Sequence, residues 1–168
     1  MSIKDITIII ASFRSNTKIK KCLNSINKNC QVINVENSNN LEFKRDIEKE
    51  FPNVKCLLTG TNLGYGSANN IGLKEAKTKY ALIINPDTEL YPETLEAFLL
   101  SAKQHPNFAI IGPNIIYAET KTKVNYSAQP KIHKAENVKG FAMFLNLSEF
   151  KDIGFFDESF FIYFEEID

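Results

Sequence analysis

Four short apolar runs rich in β-branched residues recur along the first half of the chain, and polar turn residues bound each of them. Runs of this length and composition predict buried strands. They span residues 6–11, 32–35, 54–58 and 80–84. Between them lie apolar residues at helical spacing, namely Ile19, Leu23 and Ile26, then Phe43 and Ile47, then Ala68, Ile71 and Ala76. This alternation predicts an α/β fold in which helices cover both faces of a mostly parallel sheet.

The pattern is less regular after residue 85. Pro92 suits the first turn of a helix that residues 105–107 stop. The apolar face of this helix comprises Leu95, Phe98, Leu99 and Ala102. Strands are predicted over residues 108–112, 114–117 and 138–147, and the polar stretch 119–134 is predicted to be a long loop. The first half therefore resembles a nucleotide-binding unit, and the second half could hold another substrate.

The composition limits the classes of protein to which this chain can belong. A chain of 168 residues, 43% hydrophobic and 24% charged, is typical of a single globular domain. Its 20 basic and 20 acidic residues are scattered, so we expect no nucleic-acid partner. Three cysteines without a C-x-x-C pair argue against disulfides and structural zinc and favour a reducing cytoplasm. We expect neither a signal peptide nor a membrane span.

Polar residues follow the first two predicted strands. The first strand ends in Ala11-Ser12-Phe13-Arg14, where a ring and a backbone edge could flank a nucleobase and Arg14 could meet a phosphate. The alternative is an ordinary strand-to-helix turn. After the second strand, Glu36 could accept hydrogen bonds from a base or a ribose. The alternative there is an Asx-rich loop that caps the next helix.

A glycine-rich segment opens the third predicted helix. It contains Asn62, Gly64, Asn70 and Gly72, and its glycines could let the backbone approach a ligand closely. The segment is neither a dinucleotide fingerprint nor a P-loop. Turn chemistry alone could therefore explain it.

Asn85-Pro86-Asp87 follows the fourth predicted strand directly. The tripeptide is a good turn sequence. It could also present a carboxylate to magnesium or manganese, and such a cation would neutralise a diphosphate leaving group. Both interpretations place Asp87 at the carboxyl end of a strand, where ligands of open α/β sheets bind.

The last fifteen residues, 154–168, mix acidic residues with six aromatic rings. A solvated acidic end is the usual meaning of such a cluster. If the rings are buried or line a cleft, however, neighbouring carboxylates tend to have raised pKa values, which suits a general base.

Taken in order, these motifs resemble family 2 glycosyltransferases, in particular the bacterial rhamnosyltransferase-like branch. Residues 8–13 resemble the family's first strand and base-contacting loop, and residues 35–38 resemble its V-D-N-x-S segment. Asn62-x-Gly64 with Asn70-x-Gly72 resembles its N-x-G…N-x-G helix start, and Asn85-Pro86-Asp87 resembles the N-P-D form of its D-x-D motif. Residues 140–143 resemble its acceptor-side loop, and residues 154–168 resemble its G-x-F-D-E…E-D-x-D run.

The resemblance implies a single GT-A-type domain, with a nucleotide-sugar-binding half over residues 1–90 and an acceptor-side half over residues 91–168 that is incomplete at its C-terminus. It implies inverting transfer of a sugar from UDP or dTDP to an acceptor hydroxyl of a glycan or lipid-linked glycan, in bacterial surface polysaccharide synthesis. The implied cofactor is a divalent metal, magnesium or manganese, and the implied location is the cytoplasm, with peripheral association at the inner face of the membrane.

Residue roles follow from the same resemblance. It assigns Glu166 as general base, Glu165 as its neighbour and Asp157 as a residue that orients the acceptor. Asp87 would hold the metal. The implied nucleotide-sugar contacts are Ala11, Ser12, Phe13, Arg14, Glu36, Asn62, Gly64, Asn70, Asn85 and Asp87.

Three positions of the chain differ from the usual pattern of this family. Glu36 and Glu166 replace aspartates, and Arg14 stands where asparagine is common. The chain also stops at Asp168, where family members continue, so we expect a truncated catalytic region. The main alternative is a sugar-nucleotide-binding module without transferase activity. A nucleotidyltransferase or a dehydrogenase is disfavoured, because the glycine-rich phosphate loops of those classes are missing.

Overall fold

Six strands and four α-helices form the regular structure of residues 1–114 and 132–161, the part of the chain that the computed structural model describes. The strands are β1 (Ile6–Ser12), β2 (Gln31–Glu36), β3 (Val54–Leu58), β4 (Tyr80–Ile84), β5 (Ile110–Ile111) and β6 (Ala142–Asn146). The helices are α1 (Asn16–Ser25), α2 (Leu41–Glu50), α3 (Tyr65–Glu75) and α4 (Thr94–Gln104). Short 3₁₀ turns span Ile3–Asp5 and Leu147–Phe150. None of the helices in this part of the chain is long and apolar enough to cross a membrane.

The strands form one sheet in the order β3-β2-β1-β4-β6-β5. The pairs β1–β2, β2–β3 and β1–β4 are parallel, whereas β6 runs antiparallel to both β4 and β5. Strands buried on both faces need nearly continuous apolar runs, which is why β4 is an unbroken hydrophobic segment and β1 is interrupted only by Thr7 before it ends at Ser12. The predicted α/β fold with a mostly parallel sheet is confirmed.

Alternate residues of β1 pack on opposite faces of the sheet. Ile8 and Ile10 join a cluster with α1, α2 and α4, and Ile9 joins a second cluster on the α3 side. Each of these side chains is fully buried, and such burial contributes roughly 1.5–3 kcal/mol apiece. Gly72 of α3 faces Ile9 so closely that a Cβ there would lie 2.5 Å from Ile9 Cγ2. A bare glycine therefore lets α3 approach the sheet.

The second half of the chain differs from the sequence prediction at several boundaries. The strand predicted over residues 138–147 begins only at Ala142, because the five residues of β4 pair with Ala142–Asn146 and leave residues 138–141 without a ladder partner. Val138 instead packs beside Gly112, where a Cβ would lie 2.4 Å from Val138 Cγ1. The strand predicted over residues 108–112 is reduced to β5, two residues at the sheet edge.

Three further predictions in this half concern Pro92, the strand over residues 114–117 and the loop over residues 119–134. Pro92 lies just before α4, whose N-cap is Glu93. Asn114 is outside any strand. The remainder of the strand predicted over residues 114–117, and most of the loop predicted over residues 119–134, lie outside the described residues.

The strand order changes direction between β1 and β4. From β1 the chain moves outward through β2 to β3 and then crosses back to β4 on the other side of β1. Pairing of β1 with β4 ends at Ile9–Ile83, whereas its pairing with β2 continues to Ser12–Glu36. The two central strands therefore separate at their carboxyl ends, which is where ligands bind in sheets of this topology.

Candidate active site

Glu36 connects the ends of the first two strands. Its carboxylate accepts hydrogen bonds from Ser12 Oγ at 2.5 Å and Ser38 Oγ at 2.8 Å, and from the backbone N–H of Arg14 at 3.4 Å. The residue is only 1% exposed. The longer side chain of glutamate is thus used to hold the loop after β1 in place. The nucleobase contact predicted for Glu36 stays a prediction.

The predicted helix cap after β2 is present as well. The side chain of Asn40 accepts a hydrogen bond from the backbone N–H of Phe43 at 2.9 Å and caps α2. This cap and the internal bonds of Glu36 occupy the same stretch of chain. The two interpretations of this stretch, a helix-capping loop and a ligand edge, are therefore compatible.

Phe13 and Arg14 follow β1 where β1 and β4 have separated, a gap that we call the crevice, while Ala11 and Ser12 still belong to the strand. The Phe13 side chain is exposed, and the Arg14 guanidinium lies 5.0 Å from its ring centroid, a cation–π geometry. Arg14 has φ of +52°, in the left-handed region that asparagine and glycine tolerate best. Asparagine would therefore adopt this backbone conformation with less strain than arginine does.

Asp87 lies in a tight turn directly after β4. The N–H of Thr88 donates to the carbonyl of Asn85 at 3.0 Å and closes the turn, and the N–H of Asn85 donates to the carbonyl of Phe141 at 3.1 Å. The turn predicted for Asn85-Pro86-Asp87 is therefore present. It brings the predicted acceptor-side loop, residues 140–143, against the proposed metal-binding motif.

Lys18 lies beside Asp87, and the sequence alone did not single it out. Its Nζ lies 3.4 Å from Asp87 Oδ2, and both side chains are more than half exposed. Lys18 belongs to the first turn of α1, which begins at the carboxyl edge of the sheet. That placement could have been inferred from the strand-to-helix order, but the direction of the side chain could not.

If Asp87 binds a metal, the ion must be shared with a diphosphate. Within the described ranges, no group of three or more His, Cys, Asp or Glu residues is placed to hold a metal ion. Burial, with Asp87 and Glu89 adding to it, raises the pKa of Cys22 to about 12, so its thiol stays protonated and supplies no thiolate. Asp87 alone fits magnesium or manganese only if phosphate oxygens and water complete the coordination, as is usual for these ions.

The loop before α3 is fastened to the end of β2. Asn37 donates from its amide to the carbonyl of Gly64 at 2.9 Å and accepts from the N–H of Leu63 at 3.1 Å. The side chain of Asn62 accepts from the N–H of Gly64 at 3.1 Å. Asn62-x-Gly64, the first half of the N-x-G…N-x-G motif, thus fixes the geometry of this loop, and its predicted contacts with the nucleotide sugar remain predictions.

Asn70 contacts Phe156 and Glu158, which belong to the acidic and aromatic stretch 154–168 that we call the acidic segment. Its amide donates to the carbonyl of Phe156 at 2.8 Å and to Glu158 Oε1 at 2.9 Å, and its oxygen accepts from the N–H of Phe156 at 3.0 Å. Both amide hydrogens are therefore used within the protein, and the residue is 4% exposed. A nucleotide-sugar contact of Asn70, predicted from the motif, is untested by this geometry.

Of the two alternatives for residues 154–168, Asp157 and Glu158 fit the solvated acidic cluster, and their pKa values are lowered. A hydrogen bond from the backbone N–H of Ser159 lowers the pKa of Asp157, and hydrogen bonds from Asn70 and then Lys74 lower the pKa of Glu158. Both carboxylates are exposed rather than buried among the rings, so desolvation is too small to raise their pKa values. Glu165 and Glu166 lie outside the described residues.

An open groove of about 560 Å³ borders the same segment. Asn70 and Lys74 of α3 form one side, and Phe155, Asp157 and Glu158 form part of the other. Asp157, predicted to orient the acceptor, therefore lies on a concave surface. That role stays a prediction.

Solved structures with the same architecture define the class of fold. The chain superposes on S. aureus TarS 1–349 with a TM-score of 0.69 at 20% identity, over 96% of this chain and 52% of that one. It superposes on the mannosyltransferase PcManGT from Pyrobaculum calidifontis, in complex with GDP-Man and Mn²⁺, with a TM-score of 0.70 at 14% identity, over 92% and 48%. The chain therefore has the GT-A fold of nucleotide-diphospho-sugar transferases.

Sequence comparison gives the family. Residues 7–168 match the model of glycosyl transferase family 2, and the chain belongs to this family. It is 28% identical to the low-salt glycan biosynthesis hexosyltransferase Agl10 of Haloferax volcanii, over 98% of this chain and 60% of that protein. It is 24% identical to the N-acetylglucosaminyl-diphospho-decaprenol L-rhamnosyltransferase of Mycobacterium tuberculosis, over 71% and 53%. The chain thus spans a little over half the length of these relatives.

Proposed function

We propose that this chain carries the catalytic region of an inverting glycosyltransferase, which moves a sugar from a UDP- or dTDP-linked donor to an acceptor hydroxyl in bacterial surface polysaccharide synthesis. The observation that carries the proposal is the position of Asp87, on a turn at the carboxyl end of β4 beside the crevice between β1 and β4. Family membership supports it. The structures of TarS with UDP-GlcNAc and of PcManGT with GDP-Man and Mn²⁺ agree with a nucleotide-sugar donor.

The donor is held by the strand ends. The backbone of residues 11–14 and the exposed ring of Phe13 provide the base-binding edge, and Glu36 keeps that loop in place through Ser12. Asp87 would hold magnesium or manganese together with the diphosphate, and the bound metal would neutralise charge on the departing diphosphate. Lys18, 3.4 Å from Asp87, adds a positive charge at the same position.

The acidic segment supplies the base that removes the proton of the acceptor hydroxyl. By the family resemblance, the Glu166 carboxylate takes the proton of the acceptor hydroxyl, while Glu165 neighbours it and Asp157 orients the acceptor. The acceptor oxygen attacks the anomeric carbon as the bond from that carbon to the diphosphate oxygen breaks on the opposite face. The sugar therefore changes anomeric configuration, and no covalent sugar–enzyme intermediate forms.

Calorimetric titration tests the donor site. UDP and dTDP are titrated against wild type, Asp87→Ala and Asp46→Ala, with and without manganese; Asp46 is an exposed acid on α2 and serves as the matched control. Manganese should tighten nucleotide binding to wild type and Asp46→Ala, and Asp87→Ala should lose at least about tenfold of that affinity. A folded chain that binds neither nucleotide at millimolar concentration would refute the donor site, and an unaffected Asp87→Ala would refute the role of Asp87.

A turnover assay separates the transferase from a module that only binds. Slow donor hydrolysis, or transfer to a lipid-linked glycan acceptor, should be seen with wild type and lost in Glu166→Gln. Binding without either reaction would favour the non-catalytic module. Co-sedimentation with anionic vesicles tests the proposed peripheral association with the inner face of the membrane.

A further inference from the structure

Helix α3 and Gly64, its N-cap, hold the acidic segment through a set of contacts that we call the α3 anchor. It comprises Gly64, Tyr65, Asn70 and Lys74 on one side and residues 156–161 on the other. The two sides are about ninety residues apart in the sequence but are joined by backbone, side-chain and ring contacts. This anchor connects the nucleotide half of the chain to the segment that leads to the proposed base.

Asn70 is the centre of the anchor. Its three hydrogen bonds to Phe156 and Glu158 are 2.8–3.0 Å long, and the side chain is almost wholly buried. A buried amide left without these partners is costly, so the contact strongly favours one position of the segment. Lys74, one turn further along α3, reinforces it with an exposed ion pair to Glu158 at 3.3 Å.

Gly64 and Tyr65 hold the far end of the segment. The N–H of Tyr65 donates to the carbonyl of Phe161 at 3.2 Å, and the Tyr65 ring meets Phe156 edge-on at 6.0 Å. A Cβ on Gly64 would lie 2.1 Å from the Phe161 oxygen, so only glycine permits this approach. Asn37 holds Gly64 in turn, and the anchor is therefore continuous with the end of β2.

We propose that Asn70 is a positioning residue for the catalytic base and not a contact of the nucleotide sugar. Its amide fixes Phe156 and Glu158, and with the contact at Phe161 this sets the point from which the chain continues to Glu165 and Glu166. The proposal rests on the proposed function, because it needs a base in that segment. It gives the second half of the N-x-G…N-x-G motif a role inside the protein.

Asn70→Ala tests the proposal with two readouts that require no turnover. Hydrogen exchange at the amides of Phe156 and Tyr65 should speed up by about 10- to 100-fold, since the segment is released. The dissociation constant for UDP with manganese should stay within about threefold of wild type. Asn53→Ala is the matched control, because it removes a similar hydrogen bond from a side-chain amide to the carbonyl of Cys30, at the amino ends of β2 and β3.

Rescue separates positioning from general damage to the fold. Asn70→Asp places a second carboxylate beside Glu158 and should release the segment as Asn70→Ala does. Adding Glu158→Gln reverses the direction of that hydrogen bond and should restore much of the exchange protection. In an active chain, kcat should fall by about 10- to 100-fold in Asn70→Ala with KM for the donor unchanged, and the double variant should recover part of it.

Three results would overturn the proposal: unchanged exchange in Asn70→Ala, a UDP dissociation constant raised by about tenfold or more, or no rescue by the double variant. Failure of the proposed function looks different. Wild type would then bind no nucleotide, yet exchange and rescue would still show whether Asn70 holds the segment.

Discussion

Replacing Gly64 with alanine measures how tightly the acidic segment packs on α3. Gly64 has φ of +86° and ψ of 179°, a region that is essentially restricted to glycine and costs another residue roughly 1–3 kcal/mol. The new Cβ would also lie 2.1 Å from the Phe161 oxygen and force it away from the N–H of Tyr65. Loss of that hydrogen bond adds about 0.5–1.5 kcal/mol.

Gly60 provides the matched control for this change. Its φ is +81°, but nothing lies within 4 Å of a Cβ built there. Gly60→Ala therefore carries the backbone strain without the collision, about 1–2 kcal/mol less the smaller gain from a stiffer unfolded chain. We expect Gly64→Ala to lower the free energy of unfolding by about 3–4 kcal/mol and Gly60→Ala by about 1 kcal/mol.

Urea denaturation followed by far-UV circular dichroism suits this comparison, because the chain contains no tryptophan. Hydrogen exchange at the Tyr65 amide shows whether the segment has moved away in Gly64→Ala. Equal losses of stability in the two variants, with the Tyr65 amide still protected, would mean that Phe161 does not pack on Gly64, and the structural argument for the anchor would fail at that end.

Three other predictions concern the rim of the crevice and the anchor. Arg14→Asn should stabilise the chain by about 0.5–1 kcal/mol in urea denaturation, because asparagine tolerates the left-handed backbone there; a loss of stability would contradict this. Lys18→Met should weaken UDP binding with manganese by about three- to tenfold, whereas Lys20→Met on the same helix should not. The Asn70 amide and Lys74 lower the pKa of Glu158 below its ordinary value of 4.5. Protection of the segment's amides from hydrogen exchange should therefore be full above pH 4.5 and should fall as the pH drops through the lower pKa of the folded state. Protection that is independent of pH would exclude this contribution.

The central strands could be predicted because their burial is written into the sequence. The run at 80–84 coincides with β4, since a strand covered on both faces must be apolar throughout. The run at 54–58 coincides with β3, an edge strand in which exposed Lys55 lies between buried Val54 and Cys56. The strands at the β6–β5 edge of the sheet were harder to predict. Val138 is apolar because it packs against Gly112 in a loop, and periodicity does not distinguish that packing from membership of a strand.

The position of Asp87 depends on residues adjacent in the sequence, whereas the pKa values of the acidic residues depend on distant contacts. Asp87 was placed correctly at a turn after β4 because the strand and the turn residues are adjacent in the sequence. The raised pKa that burial among aromatic rings would cause is absent at Asp157 and Glu158, which follow the solvated alternative. Their partners decide the direction of the pKa shift, and the most important of these for Glu158, Asn70, lies far away along the chain.

The glycine-rich motif shows why a ligand signature can have a second basis. Gly64 and Gly72 are both required by close approaches inside the protein, the first by the Phe161 carbonyl and the second by Ile9. Asn70, between them, donates both amide hydrogens to the acidic segment. In this chain the motif therefore holds a distant acidic stretch against α3. A nucleotide need not touch α3 for its residues to matter, because Asn37 couples the end of β2 to Gly64 and hence to the segment that precedes the proposed base.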